Sequence, residues 1–272
     1  VDYRECIENA ENVLKGVEIL KNILGFKQVV IAIEDNKPKV FEIMKEIADR
    51  DNDKGDAIKL MTLKSRYPQG AEKMMVLSAT GRKVPPGKLP SDVGCVVMNV
   101  ASTAFIARYL ETGKPLVSRS LTVDGSAIVN PQNVRVPIGT NLNELIEFCG
   151  GFKPDLEKVI AGGPMMGFAQ SDLSVPVIKA TNSILCLLKD KNGAAENPVC
   201  LRCGKCVGVC PMRLHPLYMY RFTNAGKVGE LKRLNILDCM ECGSCAFTCP
   251  GKLPLVETFR KGKQMVREAN AK

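Results

Sequence analysis

The chain has 272 residues, 45% of them apolar and 25% charged, and a formal net charge of +9. That is an ordinary globular composition with room for about two domains, and no apolar run approaches the ~20 residues a membrane helix needs. Lys and Arg are scattered, and with nine Phe, five Tyr and no Trp there is no basic stripe with interleaved aromatics, which argues against a nucleic-acid partner.

The N-terminal stretch VDYRECIENAENVLKGVEIL lacks a basic segment followed by an apolar one, so no signal peptide is expected. The first residue is not Met, which suggests a processed chain or an excised fragment. From Cys6 to Leu24, apolar residues recur at helical spacing, and Gly25 follows as a stop. VVIAIE (29–34) predicts a strand, Val40 to Ala48 a helix, and AIKLMTL (57–63) a second strand. Ala71 to Ala79 reads as a helix ending at Gly81. CVVMNV (95–100) predicts a third strand, followed by a helix from Ala101 to Leu110 ending at Gly113. Strands alternating with helices predict a mainly parallel α/β unit over residues 1–114.

Residues 115–188 have another texture. Short strands are broken by Asp-Gly, Asn-Pro and Gly-Thr turns, a helix runs from Asn141 to Phe148, and KVIAGG and SVPVIKATNSILCLL supply further strands. Strands wrapped on one helix predict a small α+β module of the β-grasp kind. Residues 189–272 open with a polar linker, KDKNGAAENP, and close with a charged helix from Leu255 to Ala271 whose charges are expected to face solvent. Between them lie CLRCGKCVGVCP (200–211) and CMECGSCAFTCP (239–250), separated by a largely helix-compatible segment.

These two stretches share one spacing, Cys-x2-Cys-x2-Cys-x3-Cys-Pro, and hold eight of the twelve cysteines. Disulfides suit small secreted chains, so metal is the expectation here. Zinc, as one ion per stretch, is one reading. The spacing favours two [4Fe–4S] clusters. Three closely spaced cysteines grip one cluster, and in two-cluster ferredoxins the fourth, followed by Pro, ligates the other. The expected sets are Cys200, Cys203, Cys206 and Cys249 for one cluster, and Cys239, Cys242, Cys245 and Cys210 for the other. Gly204, Gly208, Gly243 and Ser244 suit a backbone that approaches inorganic sulfide closely. Arg202, Lys205 and Arg213 near one cluster and Asp238 and Glu241 near the other would split the two potentials, unless all five serve only solubility. Cys6, Cys95, Cys149 and Cys186 stand among apolar neighbours and read as core.

Clusters carry single electrons, so coupling them to a pyridine nucleotide calls for a flavin. No dinucleotide fingerprint or P-loop is present. AGGPMMG (161–167) reads as a tight turn packing its methionines against the cysteine section. The single histidine, His215, reads as structural, so no histidine-based catalytic triad or zinc enzyme site is available.

YPQGAEK (67–73), TGRKVPPGKLPSDVG (80–94), VMNVAST (97–103), GKPLVSRSLTVDG (113–125), VPIGTNLNELIEFCGG (136–151), AGGPMMG and the first cysteine stretch resemble, in order, the C subunits of the Rnf complexes. These are membrane-associated ferredoxin:NAD oxidoreductases that move ions. The first two sections also resemble the NADH- and flavin-binding subunit of respiratory complex I. The resemblance implies a partial FMN- and NADH-binding α/β domain, a β-grasp (SLBB) domain and a mainly helical two-cluster ferredoxin-type domain. It implies FMN and NAD(H) as further cofactors, and Tyr67, Gly70, Glu72, Asn99, Ser102 and Thr103 as candidate flavin or nicotinamide neighbours. Ala71 and Met98 stand where such relatives often carry a second acid or a second Asn, and their early glycine-rich phosphate loop has no counterpart here, so the FMN site is expected to be incomplete. The implied partners are other subunits of a membrane redox complex and a ferredoxin or flavoprotein. The implied location is peripheral, on the cytoplasmic face of the cell membrane, with no direct span. A soluble corrin-reductase-like protein and a non-enzymatic electron relay are the alternatives.

Overall fold

The computed structural model describes residues 1–51, 58–189 and 198–271. Three separate hydrophobic cores organise it.

The first core belongs to helices α1 (Asp2–Glu8), α2 (Ala10–Leu24), α3 (Pro38–Asp51) and α5 (Val100–Thr112), and to strands β1 (Val30–Glu34) and β2 (Lys59–Leu63), while α4 (Glu72–Thr80) lies outside that cluster, beside β1. The two strands pair in parallel, with Val30 opposite Lys59 and Glu34 opposite Leu63. The helix expected from Cys6 is divided, because Asn9 leaves helical geometry at φ −129°, ψ 29°. Gly25, Gly81 and Gly113 each end a helix in the left-handed conformation, as a residue without Cβ does most readily. Helices α2 and α5 cross in near backbone contact, since a Cβ at Gly16 would lie 2.1 Å from the Thr103 carbonyl oxygen.

The strand expected at 95–100 is not a strand. Residues 95–99 have no ladder partner, and the sheet of this unit contains β1 and β2 alone among the described residues. The Cys-Val-Val-Met run has strand propensity, but strand stability comes from neighbouring strands. The residue that follows the run is instead committed to a helix start. The Asn99 side chain accepts from the Ala101 N–H and caps α5.

The second core lies in strands β3 (Ser118–Asp124), β4 (Gln132–Pro137), β5 (Leu156–Ala161) and β7 (Ser183–Leu188), with helix α6 (Leu142–Phe148); the edge strand β6 (Phe168–Gln170) adds nothing to it. The sheet order is β4-β3-β7-β5-β6, with β3 and β7 parallel and the other pairs antiparallel. Parallel central strands with one helix across them form a β-grasp. Leu142, Leu145 and Ile146 of α6 are buried with Leu121, Val123, Ile184 and Cys186. Of SVPVIKATNSILCLL only Ser183–Leu188 forms a strand. Pro176, which cannot donate to a ladder, makes a single bridge to Asn141.

The third core gathers helices α7 (Lys205–Gly208), α8 (Pro216–Asn224), α9 (Val228–Arg233), α10 (Ser244–Phe247) and α11 (Leu255–Ala271). Leu255, Phe259 and Val266 of α11 are buried with Met219, Leu231 and Ile236. Most of the expected polar linker, residues 190–197, lies outside the described residues. No helix among the described residues is long and apolar enough to cross a membrane.

Candidate metal centres and the recess beside them

The two cysteine stretches repeat in conformation as well as in sequence. Gly204 and Gly243 each sit in the left-handed region, at φ 75° and 81°, and each precedes a short helix, α7 or α10. Equivalent non-glycine residues adopt the same uncommon geometry. Arg202 matches Glu241, at φ 55° and 56°, and Arg213 matches Lys252, at φ 53° and 49°. Long helices then begin at equivalent points, Pro216 and Leu255. The left-handed turns aim backbone donors at sulfur. The Arg202 N–H donates to Cys200 Sγ at 3.4 Å and the Leu214 N–H to Cys210 Sγ at 3.3 Å, and the Glu241 N–H bonds Cys239 in the same way. Donors placed like this favour negative charge on sulfur.

Two recesses result, similar in size at about 370 and 380 Å³ of space between atoms. One is lined by Cys239, Cys242, Cys245 and, from the other stretch, Cys210. The second is lined by Cys200, Cys203, Cys206 and Cys249. Each thus takes three cysteines from one stretch and the Pro-flanked fourth from its twin. Burial pushes the Cys245 thiol up to about 12, and the charges of Cys239, Cys242 and Cys210 push in the same direction. Four cysteines around one recess would be held by a group that brings positive charge to its centre, as iron does. No three His, Cys, Asp or Glu side chains among the described residues are grouped as ligands of a single metal ion would be. The donor sets therefore fit a cluster-sized group better than one zinc per stretch.

Beside the second stretch lies a larger recess, about 1290 Å³ of space between atoms, that opens to solvent. Tyr67, Gly70 and Glu72 line it, facing Met166 and Met240. Asp35 fixes this loop. Its carboxylate accepts from both the N–H and the hydroxyl of Ser65 and pairs with Lys64, and these bonds hold it below the usual carboxylate range. The Tyr67 phenol donates to the carbonyl oxygen of Cys242 at 2.6 Å. Burial against this loop, then the charge of Cys242, raises the phenol above its ordinary range. The wall of the recess and one cysteine set are thereby joined by a single hydrogen bond.

The other three candidate flavin neighbours lie elsewhere. Asn99 caps α5 and donates through Nδ2 to Asp2 at 2.8 Å. Thr103 is buried and bonds back to the Asn99 carbonyl. Ser102 lines a different, arginine-rich recess between α1, α5 and the β3–β4 hairpin. The AGGPMMG turn packs its methionines on the cysteine section. Met165 lies against Gly243, where a Cβ would come within 2.9 Å of its carbonyl oxygen, and Met166 faces Tyr67. Cys6, Cys149 and Cys186 are buried and Cys95 half-buried.

Some contacts of the second stretch have no signature in the sequence. Lys263, on the helix expected to face solvent, is 7% exposed; its Nζ donates to the Cys239 carbonyl at 2.5 Å and pairs with Glu241 at 2.6 Å. Arg260 also pairs with Glu241, at 2.7 Å, and lies over the Phe168 ring. Burial works to raise the Glu241 carboxyl, but these two cations outweigh it and hold it low. Of the negative charge expected beside the second stretch, that of Glu241 is thus offset locally, whereas Asp238 Oδ1 is buried without a hydrogen-bond partner among the described residues. Met240 offers one signal, an apolar residue inside a ligand loop, but nothing in the sequence pairs it with Tyr67.

Comparison with known proteins finds three domain models along the chain. Residues 1–108 match the Nuo51 FMN-binding domain, 120–169 the SLBB domain and 194–250 the 4Fe-4S dicluster domain. The chain is 44% identical over 269 residues to the C subunit of the proton-translocating ferredoxin:NAD(+) oxidoreductase complex of Clostridium ljungdahlii, a match covering 98% of this chain and 58% of that protein. It is 41% identical to the Na(+)-translocating counterpart of Acetobacterium woodii, over 97% of this chain and 59% of that protein. It is 39% identical to the C subunit of the ion-translocating oxidoreductase complex of Rhodobacter capsulatus, over 98% and 51%. A crystal structure of an NAD+-reducing [NiFe]-hydrogenase shares the fold, at a TM-score of 0.61 and 15% identity, over 97% of this chain and 54% of that one. The chain spans a little over half the length of these curated relatives, and along that span it is similar to the C subunits of the ion-translocating oxidoreductase complexes.

Proposed function

We propose that this chain passes electrons between a flavin and nicotinamide site and two [4Fe–4S] clusters, as part of an ion-translocating ferredoxin:NAD oxidoreductase. The observation that carries the reading is the pair of matched recesses with crossed fourth cysteines, one of them hydrogen-bonded to the wall of a larger recess. Cys200, Cys203, Cys206 and Cys249 would hold one cluster, and Cys239, Cys242, Cys245 and Cys210 the other. When bound, FMN supplies the conversion between the two-electron hydride of NAD(H) and the single electrons that iron–sulfur clusters carry. The chain's own residues bind and orient. Crossing the fourth cysteines ties the two sets to one another, and the left-handed turns direct N–H groups at sulfur. Tyr67, Gly70 and Glu72 offer the open recess nearest to the second set. Asn99 and Thr103 act as supports for α5.

We place the domain boundaries at 1–114, 115–188 and 189–272, which the three separate cores support. The reading implies other subunits of a membrane redox complex and a ferredoxin or flavoprotein as partners. It implies a peripheral position on the cytoplasmic face of the membrane. A relay reading, without nicotinamide chemistry in this chain, is favoured by one observation: Asn99, Ser102 and Thr103 do not converge on the Tyr67 recess.

The test is an anaerobic EPR titration of the iron-loaded chain with FMN and NADH, followed by dithionite. Two [4Fe–4S] signals developing with NADH are expected. Signals that develop only with dithionite support the relay. Zinc in place of iron sinks the cluster reading.

A further inference from the structure

The two cysteine loops are near copies, yet their surroundings are opposite. In the second, Met240 faces Tyr67 and Met166, Gly243 packs on Met165, and Glu241 is neutralised by Arg260 and Lys263. That loop is docked on the rest of the chain. In the first, the residue equivalent to Met240 is Leu201, 65% exposed, and the one equivalent to Glu241 is Arg202, also exposed. Cys203 is exposed, whereas its counterpart Cys242 is buried. Val199 beside Cys200 is 64% exposed, and Phe247, on the helix that lies next to α7, is 78% exposed.

Charge shows what this face suits. Arg202, Lys205 and Lys252 surround it, all exposed, and none is ion-paired among the described residues. From Pro198 to Gly229 there is no Asp or Glu at all, and from Ala246 to Val256 there is none either. A second copy of this chain, at a formal +9, would meet the face with like charge. An acidic electron carrier would meet it with opposite charge, and apolar side chains inside a basic rim would exclude water at the contact.

We propose that the face around Cys203, bordered by Leu201, Val199, Arg202, Lys205 and Lys252, is the docking surface for an acidic one-electron partner. The second cysteine set is then the internal end of the path and the first set its outlet. This rests on the cluster reading above. In the step itself a single electron leaves the reduced centre and reduces the partner by one electron; no bond on the protein forms or breaks.

The test uses the full chain, loaded anaerobically with iron and sulfide, reduced with dithionite and freed of excess reductant. It is mixed by stopped flow with flavodoxin as an acidic acceptor and with cytochrome c as a basic one. Transfer to flavodoxin is expected to slow as salt is raised. The R202E/K205E variant is expected to lose about tenfold or more of that rate while gaining rate with cytochrome c. Lys261→Glu, on the exposed part of α11, is expected to change neither. An unchanged flavodoxin rate in R202E/K205E, or an equal loss in Lys261→Glu, overturns the docking face. So does a chain dimer, seen by sedimentation, that R202E/K205E dissolves. Iron content and EPR of the same samples separate the two levels. Two clusters per chain with unaltered rates overturn the docking face alone, whereas wild-type chain without clusters overturns the cluster reading and the face with it.

Discussion

The Tyr67 hydroxyl places a partial positive charge on the carbonyl of Cys242, inside a loop that would carry a negatively charged cluster. Removing it makes that centre harder to reduce, since hydrogen bonds around a cluster help to set its potential. Tyr67→Phe is therefore expected to move the potential of one centre, the Cys239 set, to a more negative value. The Cys200 set, which has no contact with this phenol, is expected to stay where it is. An EPR-monitored redox titration of the variant reads both centres in one sample. A shift of both together, or of neither, contradicts the assignment of Tyr67 to one set. The cysteines themselves are readable in the sequence because their geometry is local. Three cysteines each three positions apart can all reach one group, and the Pro marks the exit. The Tyr67 bond is not readable, because its partners are 175 positions apart and meet only through tertiary packing.

At the level of elements, helices are read best where both a periodic face and a stop are present. Gly25, Gly81 and Gly113 end helices as expected. The strand expected at 95–100 fails for a reason that no window of sequence holds: β-propensity does not say whether a neighbouring strand exists. The packing of α2 on α5 is a similar case. Gly16 looks like a weak point in a helix, since glycine in a helix interior costs roughly 1 kcal/mol relative to Ala. In the structure it is where the Thr103 carbonyl passes. Gly16→Ala is thus expected to destabilise the chain by at least about 2 kcal/mol, as overpacking does, despite the gain in helix propensity. Gly229→Ala in α9, where a Cβ meets nothing within 4 Å, is expected to be neutral or stabilising. Urea denaturation followed by circular dichroism compares the two. Equal effects would mean that α2 and α5 do not approach to backbone contact.

Across the whole molecule, the three cores differ in what they are made of. The α/β core is built on Val13, Leu14, Ile31, Ile33 and Met44, and the β-grasp core on Leu121, Ile146 and Ile184. The third includes the buried Cys245, with Cys200, Cys206, Cys210, Cys239 and Cys249 packed against the cluster. Only this core depends on what the cysteines hold. Binding to the folded state alone stabilises it, and the effect is largest where the ligands come from distant parts of one unit. Chelating the iron under anaerobic conditions is therefore expected to unfold the chain by parts. Amide hydrogen exchange read by mass spectrometry should show protection lost over residues 198–271. Protection should also fall in the Tyr67 loop, whose phenol bonds Cys242, and in the Met165–Met166 turn, which rests on Gly243. The sheet of the β-grasp and the β1–β2 pair should keep theirs. Uniform loss across all three units would mean that the cores are energetically one. No loss at all would mean that the third core stands without its clusters, and the eight cysteines would then need another explanation.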